Sequence, residues 1–115
     1  MPKSHVAKGS YFKARSRRFL ESAGYQIAEM ELLRGVRTPR GMVFVKKDQW
    51  GADVAGKNAE HIVFVQVKSV GLGRSISLSA AKRAFVAAGP WPPCTRRVIH
   101  VWRHRVHAPE VIECP

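Results

Sequence analysis

Three polar residues in the middle of the chain have the types and the spacing of a chemically active site. Asp53 precedes an apolar strand segment in which Gln66 and Lys68 interrupt a run of valine and phenylalanine. If the intervening hairpin closes symmetrically around Ala59 and Glu60, Asp53 faces Gln66 across the ladder. Because side chains alternate along a strand, Lys68 shares that face. The sequence therefore predicts that a carboxylate, an amide and an ammonium group lie close together.

This combination of groups suits the hydrolysis of a phosphodiester with the help of Mg²⁺, for which we expect Mn²⁺ to substitute. The Asp53 carboxylate offers the metal a hard anionic oxygen, and the Gln66 amide and the Val67 carbonyl offer neutral ones. A bound metal ion acidifies its water into a nucleophile and stabilises the charge that develops in the transition state. The Lys68 ammonium can neutralise the same charge or orient the water.

Gln66 and Lys68 also have a structural interpretation, as ordinary polar residues at the end of a buried strand. A lysine within a run of valine and phenylalanine is costly, however, unless a partner offsets the loss of its hydration. With Asp53 placed to face this strand, we favour the catalytic interpretation, because perturbed ionisable groups gather at active sites.

A second metal-binding carboxylate is expected on the first strand, which the pattern predicts over Tyr25–Leu33. Mg²⁺ is usually held by one or two carboxylates together with waters and substrate phosphates, and Gln66 supplies none. Glu31 is favoured, because a strand holds a ligand rigidly and this residue lies nearest the end where substrate could enter. Glu29 on the same strand remains an alternative, as does Asp48, which can instead cap a bend. Glu21 is a further candidate, although it can instead form an ion pair with Arg17 on the first helix.

Net charge points to the partner of this chain. It contains 20 Lys and Arg against 8 Asp and Glu, which gives a formal net charge of +12 at pH 7. Such a surplus favours a polyanion, because basic side chains neutralise phosphates and release counterions. The residues predicted to contact nucleic acid are Lys8, Lys13, Arg15, Arg17, Arg18, Arg34, Arg37, Lys47, Trp50 and Arg74. Trp50, in a bend next to Gly51, is the candidate for stacking on a base, whereas Trp102 is expected in the core.

The elements that must position these residues form an α/β arrangement. Helices are predicted over Ser10–Ala23 and Ser79–Ala88, with a pair of strands after the second helix. Residues 1–9 are expected to form a flexible basic arm and residues 10–115 a single domain. The segment Arg34–Gly41 is predicted to be a basic loop. The fold class is α/β, with a mixed, largely antiparallel central sheet flanked by helices, in the order α-β-β-β-α-β-β.

Composition disfavours several other classes. No run approaches the roughly 18 apolar residues that a membrane span requires, and the first ten residues lack the apolar stretch of a secretory signal. We therefore expect a cytoplasmic protein of a bacterial, archaeal or phage-infected cell, without a membrane partner. Cys94 and Cys114 are expected to be free thiols. His100, His104 and His107 with Cys94 do not have the spacing of a common zinc site.

The pattern of Asp53 followed 13 residues later by Gln66-x-Lys68, between hydrophobic strand residues, resembles the motif of the PD-(D/E)XK nuclease superfamily. Its Gln-x-Lys variant is similar to the Mrr-type restriction endonuclease branch. Lys8-Gly9-Ser10, before a helix that ends at Gly24-Tyr25, resembles the archaeal-type Holliday junction resolvases. The resemblance covers roughly residues 8–88. It implies a restriction-endonuclease-like fold and the metal-dependent hydrolysis of DNA phosphodiesters.

The resemblance also implies roles for individual residues. Asp53 matches the metal-binding aspartate of the motif, Gln66 stands at the position of its second acid, and Lys68 matches its catalytic lysine. The chain departs from the family in three places. The proline of the motif is absent, with Ala52 directly before Asp53, and Gln66 is neutral. Lys13 stands where resolvases have a glutamate early in the first helix, so a further carboxylate must come from elsewhere.

The residues and this resemblance together predict a Mg²⁺-dependent endonuclease for DNA. Branched DNA such as a Holliday junction is the expected substrate, and duplex DNA is the other expected partner. A resolvase makes paired cuts, and a chain of 115 residues carries one site, so this substrate implies a homodimer. The alternative is a nucleic-acid-binding module on a nuclease-like fold without catalysis, which the neutral Gln66 favours. A ribosome-like RNA-binding protein would explain the charge but not the predicted convergence of Asp53 and Lys68.

Overall fold

The computed structural model describes residues 5–48 and 50–115, and this part of the chain has two helices and seven strands. In chain order the elements are α1 (His5–Ser22), β1 (Gln26–Glu29), β2 (Glu31–Thr38), β3 (Gly41–Asp48), β4 (Val54–Lys57), β5 (Ile62–Ser69), α2 (Ser79–Ala88), β6 (Thr95–Trp102) and β7 (Glu110–Cys114). Five strands form a central sheet in the order β1-β4-β5-β6-β7, and β2 pairs with β3 as a separate two-stranded ribbon. The predicted α/β class is confirmed, although more strands are present than in the predicted order.

One parallel pair makes the central sheet mixed. Strands β5 and β6 run parallel, whereas the β1–β4, β4–β5 and β6–β7 pairs are antiparallel. Parallel neighbours need a crossover connection, because a short turn cannot return the chain to the same end of the sheet. The crossover here contains α2, the kind of element that usually makes such a connection.

Buried clusters lie on both faces of the sheet, which explains why β5 is apolar on both sides. On one face, Leu20 of α1 packs in a buried cluster that includes Val54 and Val65. On the other face, Phe85 of α2 packs in a second cluster with Phe64. Burial of each such side chain contributes roughly 1.5–3 kcal/mol. The two clusters therefore hold the β4–β5 hairpin between the helices.

A buried polar contact fixes α1 on its face of the sheet. The Trp102 indole N–H donates to Ser16 Oγ at 2.7 Å, and His100 Nδ1 lies 3.0 Å from the same oxygen. All three side chains are buried, so the prediction that Trp102 belongs to the core is confirmed. A buried donor without an acceptor costs about 1–3 kcal/mol. Ser16 therefore allows two polar rings to enter the core.

Helix α1 begins earlier than the sequence pattern predicts. The first four residues of the predicted basic arm lie outside the described residues, but residues 5–9 are helical. The expectation of a flexible arm over residues 5–9 is therefore wrong. Ser10 and Gly9 favour a helix end, yet neither residue prevents a helix from passing through, and an interior glycine costs only about 1 kcal/mol.

The strand predicted over Tyr25–Leu33 is divided between two sheets. Strand β1 joins the central sheet, whereas β2 begins at Glu31 and pairs with β3 in the ribbon. The predicted basic loop is wrong for most of its length, because β2 extends to Thr38. Pro39 lies in the turn, where its missing N–H is no loss, and Gly41 has a φ of +119° that favours glycine.

Protonation of His100 should make folding stability depend on pH. Burial, aided by the positive charge of Arg96, lowers the pKa of His100 from 6.5 to about 4. Below pH 6.5 the unfolded chain binds a proton that the folded chain excludes, so stability falls as the pH falls from about 6.5 to about 4. We expect a loss of about 2–3 kcal/mol between pH 7 and 4.5 from this residue.

Urea unfolding of the wild type and of His100→Asn at both pH values measures this contribution. The variant keeps polar atoms near Ser16 but cannot titrate in this range, so its stability should fall less steeply. An equal loss in both proteins would assign the pH dependence to other groups.

Candidate active site

The β4–β5 hairpin has the predicted register. Val54 pairs with Val65 and Lys57 with Ile62, so the turn is centred between the two residues named from the sequence. In the turn, the Asn58 side-chain oxygen accepts the backbone N–H groups of Glu60 and His61, at 2.9 Å each. Asparagine commonly closes turns in this way. The hairpin therefore brings the start of β4 beside the far part of β5.

Asp53 lies directly before β4, and its carboxylate accepts a backbone N–H of β5 that a strand carbonyl would otherwise accept. Its backbone N–H donates to the Val65 carbonyl at 2.8 Å, while its side-chain Oδ2 accepts the Val67 N–H at 2.8 Å. The residue is only 5% exposed. A charge-assisted bond of this kind is roughly twice as strong as a neutral one, so the carboxylate is fixed beside the segment from Gln66 to Lys68.

A bend with two left-handed residues leads into Asp53. Trp50 and Gly51 have φ values of 55° and 76°, and a side-chain carbon on Gly51 would lie 3.0 Å from Ala84 of α2. Glycine is therefore required by both the backbone and the packing. The left-handed backbone conformation of Trp50 costs about 1–3 kcal/mol, and backbone strain of this kind is common at functional sites.

Lys13 of α1 is the charged neighbour of Asp53. Its Nζ lies 3.7 Å from Asp53 Oδ1, and its side chain is 25% exposed. This distance is longer than that of a hydrogen bond, so the contact is an ion pair across the junction of helix and sheet. Sequence reasoning assigned Lys13 to nucleic-acid contact and missed this pairing. The available signal was the position of Lys13, where the resemblance leads one to expect an acid.

Gln66 and Lys68 are half-buried and share a face of β5, as predicted from the alternation of side chains. They pair with Ile99 and Val101 of β6, which belong to the buried cluster beneath α2. In the described part of the chain, the Asp53 carboxylate forms its hydrogen bond and ion pair with Val67 and Lys13 instead. The direct convergence of Asp53 with Gln66 and Lys68 therefore stays a prediction, as does the use of the Val67 carbonyl as a ligand.

The backbone register separates the two glutamates considered as a second carboxylate. Glu29 pairs with Val54, directly next to Asp53, whereas Glu31 pairs with Asp48 in the ribbon. The side chains of these three acids lie outside the described residues. The register favours Glu29 over Glu31, because Glu29 belongs to the strand that neighbours β4.

The described donors do not form a complete metal site. Among the side chains that the structure describes, no three His, Cys, Asp or Glu residues form a group that could hold a metal. Asp53 Oδ1 already faces the positive charge of Lys13, so a metal ion at this oxygen would have to displace that ammonium group. Mg²⁺ is commonly bound through one or two carboxylates plus substrate phosphates, and such a site needs no third protein acid.

Several of the residues predicted to contact nucleic acid are exposed. Arg18, Arg37, Trp50 and Arg74 are exposed, and Arg17 is half-buried on α1. The side chains of Lys8, Arg34 and Lys47 lie outside the described residues. Trp50 is 56% exposed and meets the rings of Phe64 and Trp91 edge-on, at 5.5 and 6.3 Å between centroids. Its ring is therefore anchored on one side, and more than half of the residue's surface is accessible to a ligand.

Arg15 has a structural role that its charge did not reveal. Its guanidinium lies 4.3 Å from the centre of the Trp102 ring and donates to the Val106 carbonyl at 2.9 Å. Cation–π contacts of this kind contribute about 0.5–2 kcal/mol. The structure thus uses Arg15 to tie α1 to the segment after β6, and its contact with nucleic acid stays a prediction.

Comparison with known proteins identified no relative of this chain. No protein-family model matches the chain, and no curated protein matches it. Within the residues that the structure describes, no helix is long and apolar enough to cross a membrane. A function for this chain must therefore be inferred from its sequence, its fold and the geometry around Asp53.

Replacement of Asp53 should separate its structural role from its charge. Asp53→Ala leaves the Val67 N–H without an acceptor, whereas Asp53→Asn keeps an oxygen in place. Both variants lose the ion pair with Lys13. We therefore expect Asp53→Ala to be less stable than Asp53→Asn by about 1–3 kcal/mol, as measured by urea unfolding.

The exposed Glu60, in the turn of the same hairpin, provides the control. Glu60→Ala should change the free energy of unfolding by less than about 0.5 kcal/mol. Equal stabilities of the two Asp53 variants would mean that the hydrogen bond to Val67 does not hold this junction.

Proposed function

We propose that this chain is a Mg²⁺-dependent endonuclease that hydrolyses DNA phosphodiesters, with Mn²⁺ as a substitute metal. The observation that carries the proposal is the Asp53 carboxylate, 5% exposed and held at the start of β4 by the Val67 amide. It lies beside the segment that contains Gln66 and Lys68, on a mixed sheet with a helical crossover. The resemblance to PD-(D/E)XK nucleases supports the proposal, because it implies a metal-binding role for Asp53 and a catalytic role for Lys68.

Each residue of this site has a defined task in the proposed reaction. Asp53 Oδ1 would hold the cation, while its Oδ2 accepts the Val67 N–H, which keeps the carboxylate from turning away. The Gln66 amide oxygen can add a neutral ligand. The bound metal would supply an activated water and charge stabilisation. The Lys68 ammonium neutralises the charge that develops on the non-bridging phosphate oxygens.

The basic surface supplies affinity without sequence preference. The ribbon carries Arg34, Arg37, Arg40, Lys46 and Lys47 against Glu31 and Asp48. Two of its arginines, Arg37 and Arg40, are exposed. Phosphate contacts of this type fix the position of DNA on a protein, while the chemistry belongs to other residues. The ribbon is thus suited to hold DNA next to the hairpin that carries Asp53.

Branched DNA is the substrate that we propose, and a homodimer is the proposed active form. Both rest on the resemblance of residues 8–25 to archaeal-type resolvases and on the need for two cuts at a junction. A chain with one Asp53 site makes one cut, so paired cuts require two copies.

A second candidate function is nucleic-acid binding without hydrolysis. The observation that favours it is the ion pair of Lys13 with Asp53, together with the neutral Gln66. In that case the Lys13 ammonium would stabilise the Asp53 carboxylate permanently, and no metal would be required.

Cleavage assays on four-way junction, flap, duplex and single-stranded DNA, each with and without Mg²⁺, test the proposal. We expect the wild type to cut at least the junction with Mg²⁺. Asp53→Asn and Lys68→Ala should reduce the cleavage rate by at least about 100-fold, with DNA affinity nearly unchanged. Lys57→Ala is the matched control, because it removes an exposed lysine from the far end of the same hairpin.

The outcomes separate the two candidate functions. If the wild type cleaves DNA and both site variants do not, the result supports the proposed nuclease activity. Binding of all four DNA forms without Mg²⁺-dependent cleavage of any of them would favour the non-catalytic module. Wild-type cleavage rates in either site variant would reject the assignment of the site.

A further inference from the structure

The Lys13 ammonium occupies the side of Asp53 that a metal ion would need. Of the two carboxylate oxygens, Oδ2 accepts the Val67 N–H at 2.8 Å, while Oδ1 faces Lys13 Nζ at 3.7 Å. The backbone fixes the first oxygen, because the amide belongs to β5. The second oxygen is therefore the one that remains for a cation, and a cationic side chain already lies there.

An ammonium group and a divalent ion compete for such an oxygen. A metal ligand distance is about 2.1 Å for Mg²⁺, so the metal would lie only a few ångströms from an unmoved Lys13. Like charges at such short range repel strongly, and more so where water is largely excluded. Asp53 is 5% exposed and Lys13 is 25% exposed, so solvent screens this repulsion only in part.

We propose that Lys13 is a built-in competitor for the cation position at Asp53 and weakens the binding of divalent metal to the DNA-free protein. This proposal rests on the proposed function, because that function identifies the cation as a hard divalent ion. Lys13 stabilises the buried Asp53 carboxylate when metal is absent. Metal binding requires the ammonium to leave Oδ1, so the intrinsic metal affinity of this site is low.

Titration of Mn²⁺ alone into the DNA-free protein, followed by electron paramagnetic resonance, measures this effect without any cleavage. Lys13→Met keeps the length of the side chain and removes its charge. We expect this variant to bind Mn²⁺ at least about tenfold more tightly than the wild type, since about 1.4 kcal/mol of relieved repulsion suffices. Lys13→Gln is measured beside it and should show the same direction.

Two further variants test whether the effect is local. Arg18→Gln removes one positive charge from the exposed side of the same helix, and it should leave Mn²⁺ affinity within about twofold, because exposed charges are well screened. Asp53→Asn in the Lys13→Met background should abolish the gain. Circular dichroism and thermal unfolding establish that each variant is folded.

The results distinguish this inference from the proposed function. Equal Mn²⁺ affinities of the wild type and both Lys13 variants would overturn the competition, even if the wild type cleaves DNA. An equal gain in Arg18→Gln would overturn it as well, because net charge rather than position would then be responsible. Tighter Mn²⁺ binding by the Lys13 variants supports it, even if no variant cleaves DNA and the nuclease proposal fails.

Discussion

The hydrogen bond from the Val67 amide to the Asp53 carboxylate is the contact on which the proposed site depends. It lies where the chain enters β4 from a strained bend, and it supplies an acceptor for a strand amide at that point. The same carboxylate contacts α1 through Lys13. One acidic residue thus joins the hairpin to the helix that covers it. Its Oδ2 accepts the Val67 N–H, and its Oδ1 faces the Lys13 ammonium group.

Some of the many basic side chains stabilise the folded domain through contacts with other residues of the chain. Arg15 covers the Trp102 ring, which in turn donates to the buried Ser16. At the other end of β6, Arg96 donates to both carboxylate oxygens of Glu113 and to Tyr25. That contact holds the pKa of Glu113 below its usual value. Basic residues outside such contacts remain for a polyanionic partner.

Sequence periodicity predicted the hairpin register and the mixed α/β class, because both depend on local alternation and on the apolar character of β5. It failed for the segment after Glu29, where Gly35 and Pro39 indicated a loop and the chain instead forms a ribbon. Strand pairing of that kind depends on contacts between distant residues, which a local pattern does not contain. The pairing of Lys13 with Asp53 was missed for the same reason, since 40 residues separate the two positions. The contact of Arg15 with Trp102 was also missed, because a positive charge alone does not reveal whether its partner is a phosphate or an indole ring.

The most direct test of the central claim is the position of the metal when DNA is bound. Crystals of Lys68→Ala with DNA and Mn²⁺ would retain uncleaved substrate, and anomalous scattering locates the manganese. We predict a peak about 2.1 Å from an Asp53 carboxylate oxygen, shared with a DNA phosphate, with Lys13 moved off Oδ1. A structure in which DNA covers the basic surface while Lys13 still contacts Asp53, and no manganese lies on that carboxylate, would contradict the account.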